Sequence, residues 1–284
     1  MGNRLTAAKL AVVALACLAA IQAPAQTRKD FKFSAAPGAT LTIVNESGAV
    51  TVRAWAGRQV AIAATTYSDK VEIDQNQSGT RIEVRTHLLQ PKLDTDQSRV
   101  DYEISVPPDV ALNIRSSNGP IAAERMRGDI NLEGDTAQID VRESGYGHVH
   151  VRTMGGPVRL VNVANAHVEI TSVSGNVELT NVDGPRVEVN TTNGKIAYSG
   201  DFGREGDYTF TSHSGDIDVT LPASASVDIT ARSVKGSVQN DFPFQPKQHT
   251  SFAANTRAFA GTSNSGSSSV QLRSFSGTIR VKKQ

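Results

Sequence analysis

The chain has 284 residues, carries 29 Lys and Arg against 28 Asp and Glu, and is 38% hydrophobic but only 5% aromatic. So even a balance excludes a purely electrostatic grip on nucleic acid or on an anionic membrane surface. A single cysteine, Cys17, leaves no intramolecular disulfide to stand in for a core.

Residues 1–25 read as a signal peptide. Arg4 and Lys9 form a positive n-region, Leu10 to Ile21 an apolar h-region, and Ala23-Pro24-Ala25 a small-residue cleavage site before Gln26. The apolar run is too short for a membrane span, which needs ~20 residues, and Ala14-Leu15-Ala16 is a poor lipoprotein signal before Cys17. Cleavage removes the only thiol and leaves a net charge of −1. The expected destination is the periplasm or the cell surface and beyond, with no transmembrane segment in the mature chain.

Residues 26–107 are expected to form an N-terminal β-rich cap that includes a first repeat. Leu41, Ile43, Val50 and Val52 flank Gly48, and longer alternating stretches follow at Val60–Ile62, Val71–Ile73, Ile82–Val84 and Val100–Val106, with a polar insertion from His87 to Arg99. Residues 108–284 repeat one pattern more strictly. Around Gly175, apolar residues sit seven and five before (Val168, Ile170) and two and four after (Val177, Leu179), with Ser172 three before. The same offsets hold around Gly48, Gly119, Gly156, Gly194, Gly215, Gly236 and Gly277. A degenerate copy has Ala137 in the glycine place and Gly134 in the Ser/Thr place. Steps of 18 to 21 residues separate the copies from Gly119 to Gly236; a step of 41 then leads to Gly277. The stretch of about 241–268 reads as an irregular insertion, with Pro243, Pro246 and a Gly/Ser-rich loop.

Period-two alternation on both sides of each glycine is the strand signature. The Ser/Thr hydroxyl is placed to bond the turn it begins, and the glycine to supply a left-handed corner. The expected fold is therefore all-β: a β-solenoid, β-helix-like, of 19–21 residues and two main strands per coil, with Val270 to Val281 as the last coil. An antiparallel β-sandwich is the alternative, favoured by the hairpin-like pairs Asn118-Gly119 and Asn193-Gly194. Charge order favours the solenoid. Stacking would set Asp140, Arg159 and Glu178 in one column and Arg115, Glu133 and Arg152 in another, each alternating in sign.

Candidate chemistry is sparse. His148, His150, His167 and Glu169 would share one outer patch in successive coils, a weak candidate for metal ligation against the reading of an ordinary polar face. Asp140 and Glu178 would lie two coils apart, near the spacing of an inverting glycosidase pair. Arg159 between them argues instead for a salt-bridge ladder, and Asp216 and Asp218 read as solvated outer positions. Trp55 is expected to pack at the cap. No phosphate-binding loop, nucleophile elbow, dinucleotide fingerprint or zinc-protease motif occurs, so no catalytic residue and no cofactor is expected.

The pieces Leu41–Val52, Tyr102–Pro108 with Leu112–Gly119, and Ser212–Val219 resemble a family of bacterial exported β-strand-repeat proteins of unknown function that carry an adhesin label. The resemblance covers about residues 33–282. It implies a solenoid-like fold and an envelope location, and it supplies no catalytic residues. The expected function is a non-enzymatic binding or structural scaffold for a glycan or an envelope protein. The alternatives are a carbohydrate-active parallel β-helix enzyme and a periplasmic sensory or regulatory module.

Overall fold

Each repeat buries one face of two short strands, and no single repeat can cover that face by itself. The answer is stacking. The computed structural model describes residues 26–246 and 256–284, so the expected signal peptide and residues 247–255 of the expected insertion lie outside the described residues. Among those described, the strands form two sheets of 12 and 13 strands. Pairing through the body is parallel and in register: Val168 with Val187, Ile170 with Val189, Val177 with Ile196. The parallel register excludes the antiparallel sandwich. The inward residues of both sheets, such as Val168, Ile170, Val177 and Leu179, are fully buried in one continuous core. The degenerate copy is a true coil, with strands Ile130–Gly134 and Ile139–Arg142.

The corner between the two strands of a coil carries the expected hydroxyl bond. The Gly156, Gly194, Gly215, Gly236 and Gly277 N–H groups donate to Thr153, Thr191, Ser212, Ser233 and Ser274 at 2.8–3.0 Å. The left-handed corner, however, lies elsewhere. Of the eight corner glycines of the repeat, only Gly48 and Gly119 have positive φ. The others are glycine because the coils touch there: a Cβ on Gly175 would stand 2.0 Å from the Gly156 carbonyl oxygen, and on Gly194 2.1 Å from that of Gly175. Left-handed residues occupy the second corner of the coil instead, in the column Arg125, Glu143, Asn162, Asn181 and Gly200. The copy around Ala137 shows the same space filled differently. A Cβ on Gly134 would be 2.9 Å from the Ala137 methyl, so that methyl takes the room of the missing Ser/Thr side chain.

Coil order in space departs from coil order in sequence, and this corrects the placing of Val270 to Val281 at the end of the stack. Strand Ser268–Ser274 lies between Asp207–Ser212 and Val227–Ser233, and Ile279–Lys283 between Ile217–Leu221 and Val238–Asn240. The C-terminal coil is thus inserted one coil inside the end. The end itself is covered by Ala258–Ser263, antiparallel to Val227–Arg232, with Gln245–Pro246 antiparallel to it outside. The N-terminal end repeats the device. The coil of Thr40–Asn45 and Val50–Ala54 lies between Ala111–Ser116 with Ile121–Glu124 on one side and Arg81–Leu88 with Val100–Val106 on the other. Antiparallel strands Gln59–Thr66 and Val71–Ser78 then cover that coil, and Thr27–Ser34 adds to Gln59–Thr66. Residues 26–107 are therefore one sheet system with the repeats.

Buried polar groups tie the inserted N-terminal coil in place. Asn45, in the Ser/Thr position, donates from Nδ2 to the Ser47 and Val100 carbonyls at 2.9 and 3.0 Å. Its Oδ1 accepts from Thr86 at 2.8 Å, and Thr86 meets the Tyr102 hydroxyl at 2.9 Å; burial pushes that phenol up to about 12. Further along, the step lengthens to 21 residues because the loop between Ile196–Ser199 and Asp207–Ser212 is folded around aromatics. Phe202 stacks on Tyr198 at 4.4 Å, and the Tyr208 hydroxyl accepts from the Gly203 N–H at 2.9 Å.

Two expectations follow for stability. Gly156→Ala sets a Cβ 1.8 Å from the Ala137 carbonyl oxygen, whereas Gly155→Ala meets nothing nearer than 3.6 Å. Chemical denaturation should show a loss of at least ~3 kcal/mol for the first and a change within ~0.5 kcal/mol for the second. Gly134→Ser alone should cost ~1–3 kcal/mol by overpacking against Ala137, and adding Ala137→Gly should restore at least half of the loss in a double-mutant cycle.

Candidate functional site

The outward positions of the strands form columns that run the length of the stack, and their chemistry is set by which coils are neighbours. On the 12-stranded face, Asp140, Arg159 and Glu178 stand in register in adjacent strands. Arg159 Nε lies 3.7 Å from Glu178, while Asp140 is held at 2.6 Å by Arg142 of its own strand. On the 13-stranded face, Glu133 stands between Arg115 and Arg152 and pairs with Arg115. The expected charge ladders are present.

Asp216 and Asp218 are more than solvated positions. Arg280 reaches Asp216 at 2.8 Å and Asp218 at 3.2 Å, and Lys195 pairs with Asp218 from the other side. Partial burial alone pushes both carboxyls upward, yet the bonds from Arg280 and Lys195 outweigh it and hold them below the usual aspartate range. Arg280 stands beside them only because the C-terminal coil is inserted against Ile217–Leu221. At the cap, Asp101 follows the same logic: burial raises it, and Arg99, Tyr67 and the Ala49 N–H together bring it below its ordinary value. Glu188 is lowered by Asn190 and Arg186.

The four residues of the histidine patch do share one outer region, as two separate contacts. His148 and His167 meet edge to face with ring centroids 5.0 Å apart, and His150 Nδ1 lies 3.4 Å from Glu169 Oε2. Among the described residues no group of three or more His, Cys, Asp or Glu is placed to hold a metal ion. Trp55 sits half exposed in the turn of residues 55–58, over Gly57, and its Nε1 donates to the Gln59 carbonyl at 2.9 Å. An open furrow of about 590 Å³ crosses the 12-stranded face near the cap. Ala61 and Ala63 are among its lining residues, and so are Arg28 and Glu103, which pair with each other at 3.4 Å.

One surface escaped the sequence reading. The residue two before each corner glycine forms the tip of its coil. From the coil of Gly156 to that of Gly236 these are, in spatial order, Met154, Val173, Thr192, His213, Phe275 and Val234, whereas the coils nearer the cap carry Glu46, Ser117 and Asp135 there. Met154 is 61% exposed, and Val173 and Val234 nearly half. His213 stacks on Phe275 at 4.8 Å, nearly parallel, with the Lys235 ammonium 4.8 Å over the Phe275 ring. Backbone bonds such as Val173 N–H to Thr153 and Phe275 N–H to Ser212 lock each tip to the coil below. The offset from glycine was readable, but Phe275 joins His213 only through the inserted coil.

The stacked parallel coils, buried hydroxyl corners and capped ends define an all-β solenoid with charge-laddered faces. The chain belongs to the Toastrack DUF4097 family, whose profile matches residues 39–282. Among solved structures, it is similar to a putative adhesin from Bacteroides fragilis at 8% identity, covering 92% of this chain and 99% of that one with a TM-score of 0.47. It is also similar to a putative cell adhesion protein from Clostridium sporogenes at 14% identity, covering 91% and 100% with a TM-score of 0.31. A putative adhesin from Parabacteroides merdae shows 11% identity over 89% and 95%, with a TM-score of 0.32. No curated protein matches the chain. No helix among the described residues is long and apolar enough to cross a membrane.

The depressed aspartates set an acid limit. A carboxyl whose folded value lies below its unfolded value contributes stability that is present above ~3.9 and lost as pH falls through the folded value. Unfolding free energy should therefore decline from about pH 4 downward, and Asp218→Asn should flatten that decline, read from urea midpoints between pH 2 and 6.

Proposed function

We propose that this protein is an exported, non-enzymatic scaffold of the bacterial envelope that binds an extended partner, a glycan or an envelope protein, along its row of coil tips. The observation that carries the reading is the ridge from Met154 to Val234: six stacked tips, ~24 Å long at ~4.8 Å per coil, mixing exposed apolar groups with a stacked His–Phe pair. Contact made at one coil recurs at the next, which suits a repeating or extended ligand. Support for a non-enzymatic role comes from the carboxylates. Asp216 and Asp218 are held ionised by cations, and Asp140 and Glu178 are each engaged by an arginine. A general acid needs the opposite environment, one that raises its pKa.

The test uses the exported protein, whose mass should begin at Gln26, on a glycan array and in pull-downs from envelope extracts. Combined Met154→Ser, Val173→Ser and Val234→Ser substitutions at exposed tips should weaken binding at least ~10-fold while thermal unfolding stays in place. Polysaccharide cleavage that disappears in Asp140→Asn or Glu178→Gln would reverse the reading.

A further inference from the structure

The two ends of the stack are finished differently. Among the described residues, the C-terminal end closes with edge strands of three and two residues, Val238–Asn240 and Gln245–Pro246. Short edges of this kind discourage pairing with another chain. The N-terminal end presents two eight-residue edges, Thr27–Ser34 and Val71–Ser78. Glu72 and Asp74 are the only charges on the second, so it offers no opposite charge to a copy of itself. The first carries Arg28, Lys29, Asp30 and Lys32.

Which backbone groups of that edge are free follows from its inner pairing. The Ala35 N–H donates to the Arg58 carbonyl at 3.2 Å. In an antiparallel ladder every second pair exchanges both bonds, so Phe33, Phe31 and Lys29 spend their N–H and C=O groups on Val60, Ile62 and Ala64. Arg28, Asp30, Lys32 and Ser34 turn theirs outward. Consistent with this, the Gln77 side chain donates to the Ser34 carbonyl from outside the ladder, at 2.9 Å.

We infer that Thr27–Ser34 is a homodimer edge, pairing antiparallel with the same strand of a second copy about a two-fold axis at Phe31. Charge favours this register, the one centred within the strand that sets opposite charges face to face without a like-charged pair. Centring the axis on Asp30 sets Asp30 against its own copy and Arg28 against Lys32; centring on Lys32 or on Lys29 sets two lysines face to face. Centring on Phe31 pairs Asp30 with Lys32 twice through outward-facing backbone groups, and sets Arg28 opposite Ser34, whose carbonyl Gln77 already engages. It also brings the two half-buried Phe31 rings, already packed on the core, together at the axis. The 12-stranded sheets then continue across two copies, and an interface of this kind is isologous and self-limiting.

Sedimentation of the purified protein should show a dimer that weakens with salt. Asp30→Lys alone and Lys32→Asp alone should each raise the dissociation constant at least ~10-fold, and the double exchange should restore it. Far-UV circular dichroism and thermal unfolding confirm that each variant is folded. In a Cys17→Ser background, Phe31→Cys should cross-link into a covalent dimer under mild oxidation, because facing non-hydrogen-bonded positions lie close enough for a disulfide. A folded monomer at all concentrations, or a dimer indifferent to both charge reversals, would overturn the inference.

Discussion

Everything in this fold depends on how closely successive coils approach at one corner. The backbone of Gly175 lies so near that of Gly156 that a single added carbon would overlap the neighbouring carbonyl oxygen. The same contact passes along the stack from Gly48 to Gly236. Parallel ladders set the coil spacing at ~4.8 Å, and a sharp corner at that spacing leaves no volume for a side chain on its inner turn. The buried Ser and Thr hydroxyls follow from the same constraint: a tight corner turns an N–H inward, where water cannot serve it, and the hydroxyl three residues earlier accepts it. Ala137 keeps the rule by exchange, since its methyl occupies space released by Gly134.

The glycine contacts also record the true order of the coils. Gly277 rests on Gly215, and Gly236 rests on Gly277. A repeat whose coils share one set of offsets allows any coil to stack on any other, so chain order need not be spatial order. Here both terminal coils are held between two neighbours, and the segments displaced outward end in antiparallel strands, apart from the three-residue parallel edge Val238–Asn240. A solenoid with its chain ends exposed would fray from them. Inserting the C-terminal coil one place inward removes that route at its end of the stack, at the cost of non-local pairing that must form late in folding.

That insertion also shapes the surface. Arg280 is the second partner of Asp218, and Phe275 the stacking partner of His213, solely because the C-terminal coil lies against the coil of Gly215. Along the regular body the outer chemistry was legible from offsets alone. Asp140, Arg159 and Glu178 appear in the expected column, as do His148 with His167 and His150 with Glu169, because steps of 19 residues keep like positions adjacent. At the ends the same arithmetic fails, and the left-handed corner was misplaced for a related reason. Glycine in a repeat can mean positive φ or close approach, and only neighbouring backbone distinguishes them. The asparagines at 162 and 181, residues that tolerate left-handed conformations, were the available signal for the second corner.

The amino-acid sequence alone determined the period, the strand type, the inward and outward faces and the position of the hydrogen-bonded corners. These are local properties: alternation decides which face is apolar, and a hydroxyl three residues from a glycine bonds within its own turn. Tertiary structure decided the order of the coils, the capping of both ends, the ridge of tips and the partners of Asp216 and Asp218. Those depend on which of several equivalent ladders meet. Equivalent registers have nearly equal local energies, so the choice among them rests on connections and contacts between residues far apart in the chain.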